Sequence, residues 1–160
     1  MGRLLALDYG SKRVGAAISD PTRTIATPLE VYQRRSKRVD AEHYRALVQE
    51  HEVDRIVIGL PIRSQGEEGE SARQARAWGA WLADGTGLPV TFFDERFTTV
   101  EAENLLRSHG LNPNERKARR DMLAAQILLS AYLDAGCPDS EAPPAPLNDP
   151  PPDLDRENDS

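Results

Sequence analysis

The sequence predicts an α/β fold: a mixed five-stranded sheet with three antiparallel strands first, then parallel strand–helix–strand units, flanked by helices. Three observations point there. A run of four apolar residues, Leu4 to Leu7, ends in Asp8 and returns through Gly10 and Gly15 into a second apolar segment, Val14 to Ile18, as a hairpin does. Two further short apolar runs, Arg55 to Leu60 and Leu88 to Phe93, read as buried strands. Helical periodicity fills the intervals between and after them, which calls for parallel pairing with crossovers.

In chain order, the hairpin carries Lys12 and Arg13 in its turn. A third strand follows at Thr24 to Gln33, with Pro28 suiting an edge or irregular position. A dense basic loop, Arg34 to Arg38, leads to Asp40, the expected N-cap of a helix whose face holds Tyr44, Leu47, Val48 and His51. His43 and His51 lack partners at metal-binding spacing and read as boundary residues. The Arg55 strand ends in Gly59-Leu60-Pro61, and Gly66 and Gly69 punctuate the loop beyond. A helix is expected from Glu70 to Ala83, with Trp78 and Trp81 as packing residues and Gly85 and Gly87 beyond its end. The third buried strand runs directly into Asp94-Glu95-Arg96. Thr98-Thr99-Val100-Glu101 opens a helix with a capping-box pattern, stopped by Gly110. A basic loop, Arg116 to Arg120, then leads to Asp121 at the start of the last helix.

Charge divides the chain in two. Residues 1–135 hold 19 Lys and Arg against 19 Asp and Glu, so the net charge of −6 belongs to residues 136–160, which also hold seven of the twelve prolines. With so little apolar surface to bury, residues 137–160 are expected to form a disordered acidic, proline-rich tail, more a solubilising appendage than a shield. No apolar stretch has the length of a membrane span, and no signal-peptide pattern precedes the first strand. The single cysteine, Cys137, permits no internal disulfide and is expected to be an exposed thiol. These features exclude a membrane partner and suit a cytoplasmic protein.

Three acids occupy related places: Asp8 ends the first strand, Glu95 follows the last, and Asp121 opens the last helix. Asp8 alone could be an Asx turn and Asp121 alone a helix cap. Ligands gather at the carboxyl ends of strands in open α/β sheets, however. If the first and last parallel strands are neighbours, Asp8 and Glu95 lie close together. Three carboxylates without His or Cys make a hard-oxygen site for Mg²⁺ or Mn²⁺, and two such ions ~3.5–4 Å apart suit phosphoryl displacement. Each acid has cations beside it: Lys12 and Arg13, Arg96, and Arg116 to Arg120. That recurrence suits a phosphodiester substrate. Asp94 should face the other way across its strand and is left out of the site.

These residues fall into four ordered motifs: Asp8-x-Gly10-x-Lys12-Arg13-x-Gly15; Gly59-Leu60-Pro61-x(4)-Gly66; Asp94-Glu95-Arg96-x-Thr98-Thr99; and Lys117-x(3)-Asp121-x-x-Ala124-Ala125-x-Ile127-Leu128. Together they resemble the YqgF family, also called RuvX, over residues 3–135. The resemblance implies an RNase H-like nuclease domain over residues 1–136. It also implies metal-dependent cleavage of nucleic acid and, for bacterial members, maturation of the 5′ end of pre-16S rRNA. By position, Asp8, Glu95 and Asp121 match the family's acidic triad as catalytic residues and metal ligands. Lys12, Arg13, Arg96, Gly59, Pro61 and Gly66 fall in its other motif positions, as substrate-binding candidates. Arg120 stands where an apolar residue is more usual, and Ala124-Ala125 where related resolvases carry a fourth ligand.

Three rivals remain. A four-way-junction DNA resolvase would call for a homodimer that cuts symmetric strands. A non-cutting nucleic-acid-binding module has no need to gather repelling carboxylates. A phosphate-binding domain of the actin and hexokinase type would need a second domain, for which this chain has no room. RNA is favoured over DNA as the partner, read by backbone charge and strand shape.

Overall fold

The computed structural model describes residues 2–61, 66–94 and 113–138, with the backbone alone for 113–119. The elements are β1 (Arg3–Tyr9), β2 (Arg13–Ser19), β3 (Ala26–Gln33), α1 (Lys37–Glu50), β4 (Val53–Leu60), α2 (Glu70–Thr86), β5 (Val90–Asp94) and α3 (Pro113–Asp134). The sheet order is β3-β2-β1-β4-β5, with β1 in the centre. β1–β2 and β2–β3 pair antiparallel, and β1–β4 and β4–β5 parallel. This is the mixed five-stranded sheet expected from the sequence.

Alternation along β1 sends its side chains into two cores. Leu5 and Leu7 pack with Tyr44, Leu47 and Val48 of α1 and with Ala75, Trp78 and Leu82 of α2. Leu4 and Ala6 face the other way, against Ala125, Leu128, Leu129 and Tyr132 of α3. The described residues therefore form three layers, with α1 and α2 on one side of the sheet and α3 on the other. Leu4 to Leu7 are fully buried on both faces of β1, which is why this stretch is a continuous apolar run rather than an alternating one.

The structure corrects several expectations. Asp40 is not the cap of α1; Ser36 is, its side chain accepting from the Val39 amide at 3.2 Å. Asp40 is instead buried in the first turn, accepting from the Tyr32 hydroxyl at 2.7 Å and the Arg35 amide at 3.0 Å. α2 runs past Gly85 to Thr86, ending where Gly87 adopts φ 76°. β5 is the last strand in the order and mostly half-buried, not the buried strand expected. The basic run Arg116 to Arg120 is helix, because α3 starts at Pro113, a residue whose missing N–H costs nothing in a first turn. Cys137 is half-buried against the α3 core rather than exposed. The capping-box helix after Thr98 lies outside the described residues.

Trp78 is buried and Trp81 packs beside it, as expected of core residues. His43 lies stacked on Tyr32 with its Nε2 2.7 Å from Glu30, a boundary histidine between β3 and α1.

Candidate active site

Asp8 is the sixth residue of β1 and shares the α3 face with Leu4 and Ala6. Its antiparallel partner is Gly15 of β2. The absence of a side chain at Gly15 is what lets α3 approach: a Cβ there would lie 2.0 Å from the Asp121 carbonyl oxygen and 2.4 Å from its carbon. The backbones of Asp8, Gly15 and Asp121 thus converge at one point on the sheet. In the sequence Gly15 reads as a turn bracket; in the fold it is the seat of α3.

Asp121 is not at a helix start. It lies more than two turns into α3, so its position owes nothing to capping or to the helix dipole. Its carboxylate accepts from Arg13 Nε at 2.8 Å. Arg13 and Gly15 point to the same face of β2, so one strand both admits the helix and grips its aspartate. The pair is partly exposed, 38% at Arg13 and 25% at Asp121, and so remains within reach of a ligand.

The turn between β1 and β2 is fixed by a residue that the sequence pattern does not single out. Arg34, directly after β3, sends Nη1 to the Tyr9 hydroxyl at 3.1 Å and to the carbonyls of Gly10 and Ser11 at 3.0 and 2.9 Å. Its guanidinium also lies over the Tyr9 ring, 4.9 Å from the centroid. Its amide donates to the Lys12 carbonyl at 2.9 Å. Only its place in a basic run marks it in the sequence, and that run reads as a uniform loop.

The remaining candidates spread along the same edge. Lys12 is exposed on the turn. Gly59 is the penultimate residue of β4, one beyond the Leu7–Ile58 pair, and alternation with Val57 puts it on the face of Asp8. A glycine therefore stands on each side of Asp8, in β2 and in β4. Pro61 follows β4 and is half-buried; Gly66 is exposed with φ 90°, a conformation that favours glycine. Asp94 alternates with Val90 and Phe92, which pack on the α1–α2 side, so it faces away from Asp8 as expected. Ala124 and Ala125 lie on α3, the latter fully buried in the core.

Glu95 and Arg96 lie outside the described residues. The expectation that the first and last parallel strands are neighbours does not hold: β4 lies between β1 and β5. Two strand spacings, about 10 Å, separate the backbone of β5 from that of β1. Among the described residues, no three His, Cys, Asp or Glu side chains are gathered as an ion would need.

The model of a family described as RuvX, Holliday junction resolvase, matches residues 2–135. A protein of Koribacter versatilis (strain Ellin345) named "Putative pre-16S rRNA nuclease" is 40% identical over 89% of this chain and 93% of its own length. One of Anaeromyxobacter sp. (strain Fw109-5) with the same name is 43% identical over 82% of this chain and 96% of its own length. Among solved structures, the Fowlpox virus resolvase in complex with Holliday junction DNA aligns with a TM-score of 0.55 and 10% identity, covering 85% of this chain and 99% of that one. That likeness is one of fold, and the fold is RNase H-like. With the family model spanning both strand meander and final helix, and relatives matched over most of their length, this chain belongs to the RuvX family.

Proposed function

We propose that the chain is a metal-dependent nuclease that hydrolyses phosphodiester bonds in the precursor of 16S rRNA, at its 5′ end, with Asp8, Glu95 and Asp121 as its catalytic carboxylates. The observation that carries this reading is the convergence of the backbones of Asp8 and Asp121 at Gly15, near the carboxyl end of the central strand. Two aspartates whose backbones meet at one point, with neither His nor Cys in the strands beside them, suit Mg²⁺ or Mn²⁺ rather than a softer ion. Asp8, Asp121 and Glu95 would hold such an ion, and when bound it supplies Lewis acidity at the phosphodiester and the attacking water.

The chain's own groups do the rest. Arg13 keeps the Asp121 carboxylate aligned and, being partly exposed, offers its remaining N–H groups to a phosphate. Lys12 projects from a turn that Arg34 holds fixed, so a cation is presented without being ordered at the moment of binding. Arg96 is proposed to steady a neighbouring phosphate. Gly59, on the β4 side of Asp8, adds no side chain there, which suits the approach of a phosphate backbone to the carboxylate. RNA as substrate rests on the names of the relatives; the family model's description and the viral resolvase keep branched DNA as the second reading.

Cleavage of end-labelled 16S precursor RNA, matched DNA and a four-way junction, with Mg²⁺, Mn²⁺ or EDTA, tests both. Metal-dependent cutting of the RNA, abolished in Asp8→Asn and Glu95→Gln, is the expected result. Preference for the junction, by a dimer, would replace the RNA reading with resolution. Binding without cutting, unchanged in both variants, would reduce the chain to a binding module.

A further inference from the structure

The end of β3 leads through Arg34 and Arg35 into Lys37 and Arg38, which are not loop, as the sequence suggested, but the first residues of α1; of these four cations the proposed mechanism uses only the first. Arg34 turns inward onto the catalytic turn. The other three are exposed. Arg38 has Glu42 at 3.9 Å, but both ends of that pair are largely in water, at 80% and 63%, and such a pair is loose. Arginines of α2 are partnered more tightly, exposed Arg73 by Glu70 at 2.7 Å and half-buried Arg76 by Glu68 at 2.6 Å. The stretch from Arg35 into the first turn of α1 therefore keeps a cluster of weakly compensated positive charge, which repels itself until a polyanion arrives.

Its location decides which polyanion. The Arg34 amide is bonded to the Lys12 carbonyl at 2.9 Å, and Gln33 pairs with Arg13 across β2–β3. Arg35 thus follows directly on a residue joined to the catalytic turn, and the cations of turn and loop form one rim along the strand ends. Two strand spacings, about 10 Å, separate the β3 end of that rim from Asp8.

We propose that Arg35, Lys37 and Arg38 form a second phosphate-binding surface, which holds the same nucleic-acid strand on the β3 side of the bond being cut. This surface rests on the nuclease reading and adds the path of the substrate to it. It reads charge and not sequence, so its signature is electrostatic.

The test is the salt dependence of binding of fluorescein-labelled single-stranded RNA to full-length chain carrying Asp8→Asn, with and without Arg35→Gln/Lys37→Gln/Arg38→Gln. Each phosphate that a cation neutralises contributes about 0.7 to the log–log slope on a single strand. The triple variant is therefore expected to have a slope shallower by about 2 and to bind at least tenfold more weakly at ~0.15 M salt. In the otherwise wild-type chain, the triple variant should raise KM and leave kcat intact. Arg45→Gln/Arg73→Gln, on exposed positions of α1 and α2, should leave the slope unchanged. An unaltered slope in the triple variant, or an equal loss per charge in the control, would overturn the surface. Failure of the nuclease reading shows separately, as identical behaviour of wild type and Asp8→Asn with metal present.

Discussion

Gly15→Ala would set a methyl group where the backbone of Asp121 now lies, 2.0 Å from its carbonyl oxygen. Backbone cannot swing aside as a side-chain tip can, so α3 must lift from the sheet. The expected loss is at least the ~1–3 kcal/mol typical of overpacking, seen as a lower denaturation midpoint, with cleavage falling further than stability because Asp121 moves away from Asp8. Gly85→Ala is the contrasting case. Nothing lies within 4 Å of its absent Cβ and it sits inside α2, so alanine should stabilise the helix by about 0.5–1 kcal/mol. If both variants behave alike, the close approach of α3 is not what Gly15 provides. The sequence displays both glycines identically. What separates them is the element that passes over one and not the other, and no local pattern records that.

At the scale of elements, β3 and α1 are joined by a partly buried bond from the Tyr32 hydroxyl to Asp40. Burial and then this bond push the Tyr32 hydroxyl up to about 12, and burial raises Tyr44 still further. An unfolded tyrosine ionises near 10. The folded state thus holds these protons more tightly, so their contribution to stability is complete below about pH 10 and is lost as pH rises through about 12. Tyr32→Phe should cost about 1–3 kcal/mol at neutral pH by leaving Asp40 short of a donor. It should also flatten the alkaline limb of a plot of unfolding free energy against pH; an unchanged limb would place the alkaline sensitivity elsewhere. Helix periodicity identifies the Tyr44, Leu47 and Val48 face of α1 correctly. Its cap is not legible, because Asp and Ser compete for the same position and the choice here falls to the distant Tyr32. The start of α3 is hidden for another reason: Arg116 to Arg120 lacks the apolar spacing that marks a helix, though the backbone is helical through it.

Over the whole molecule, the sheet composition is legible because each strand type leaves its own mark: doubly buried β1 and β4 as apolar runs, and the hairpin by its glycines. The strand order is not legible, since β4 enters between β1 and β5 through crossovers whose destination is set by packing. Tyr132 donates to the Pro138 carbonyl at 2.7 Å, so the fold's last described bond lies at 138. A chain ending at Pro138 sheds seven acids and one arginine. We expect it to keep the melting temperature and kcat of the full chain and, relieved of that negative charge, to capture RNA faster at low salt. A lower melting temperature would mean that residues 139–160 support the fold. The dependence of the site on α3 also has a meaning in time. Residues 3–94 supply the sheet and its α1–α2 side, whereas the second carboxylate comes from the final helix. Domains form as synthesis proceeds from the N-terminus, so a growing chain can assemble most of its sheet while Leu4, Ala6, Ala17 and Val57 still await their cover. Until Asp121 emerges, such a chain lacks one of the three carboxylates proposed to hold the metal. The proposed nuclease would in this way complete its site late in its own synthesis.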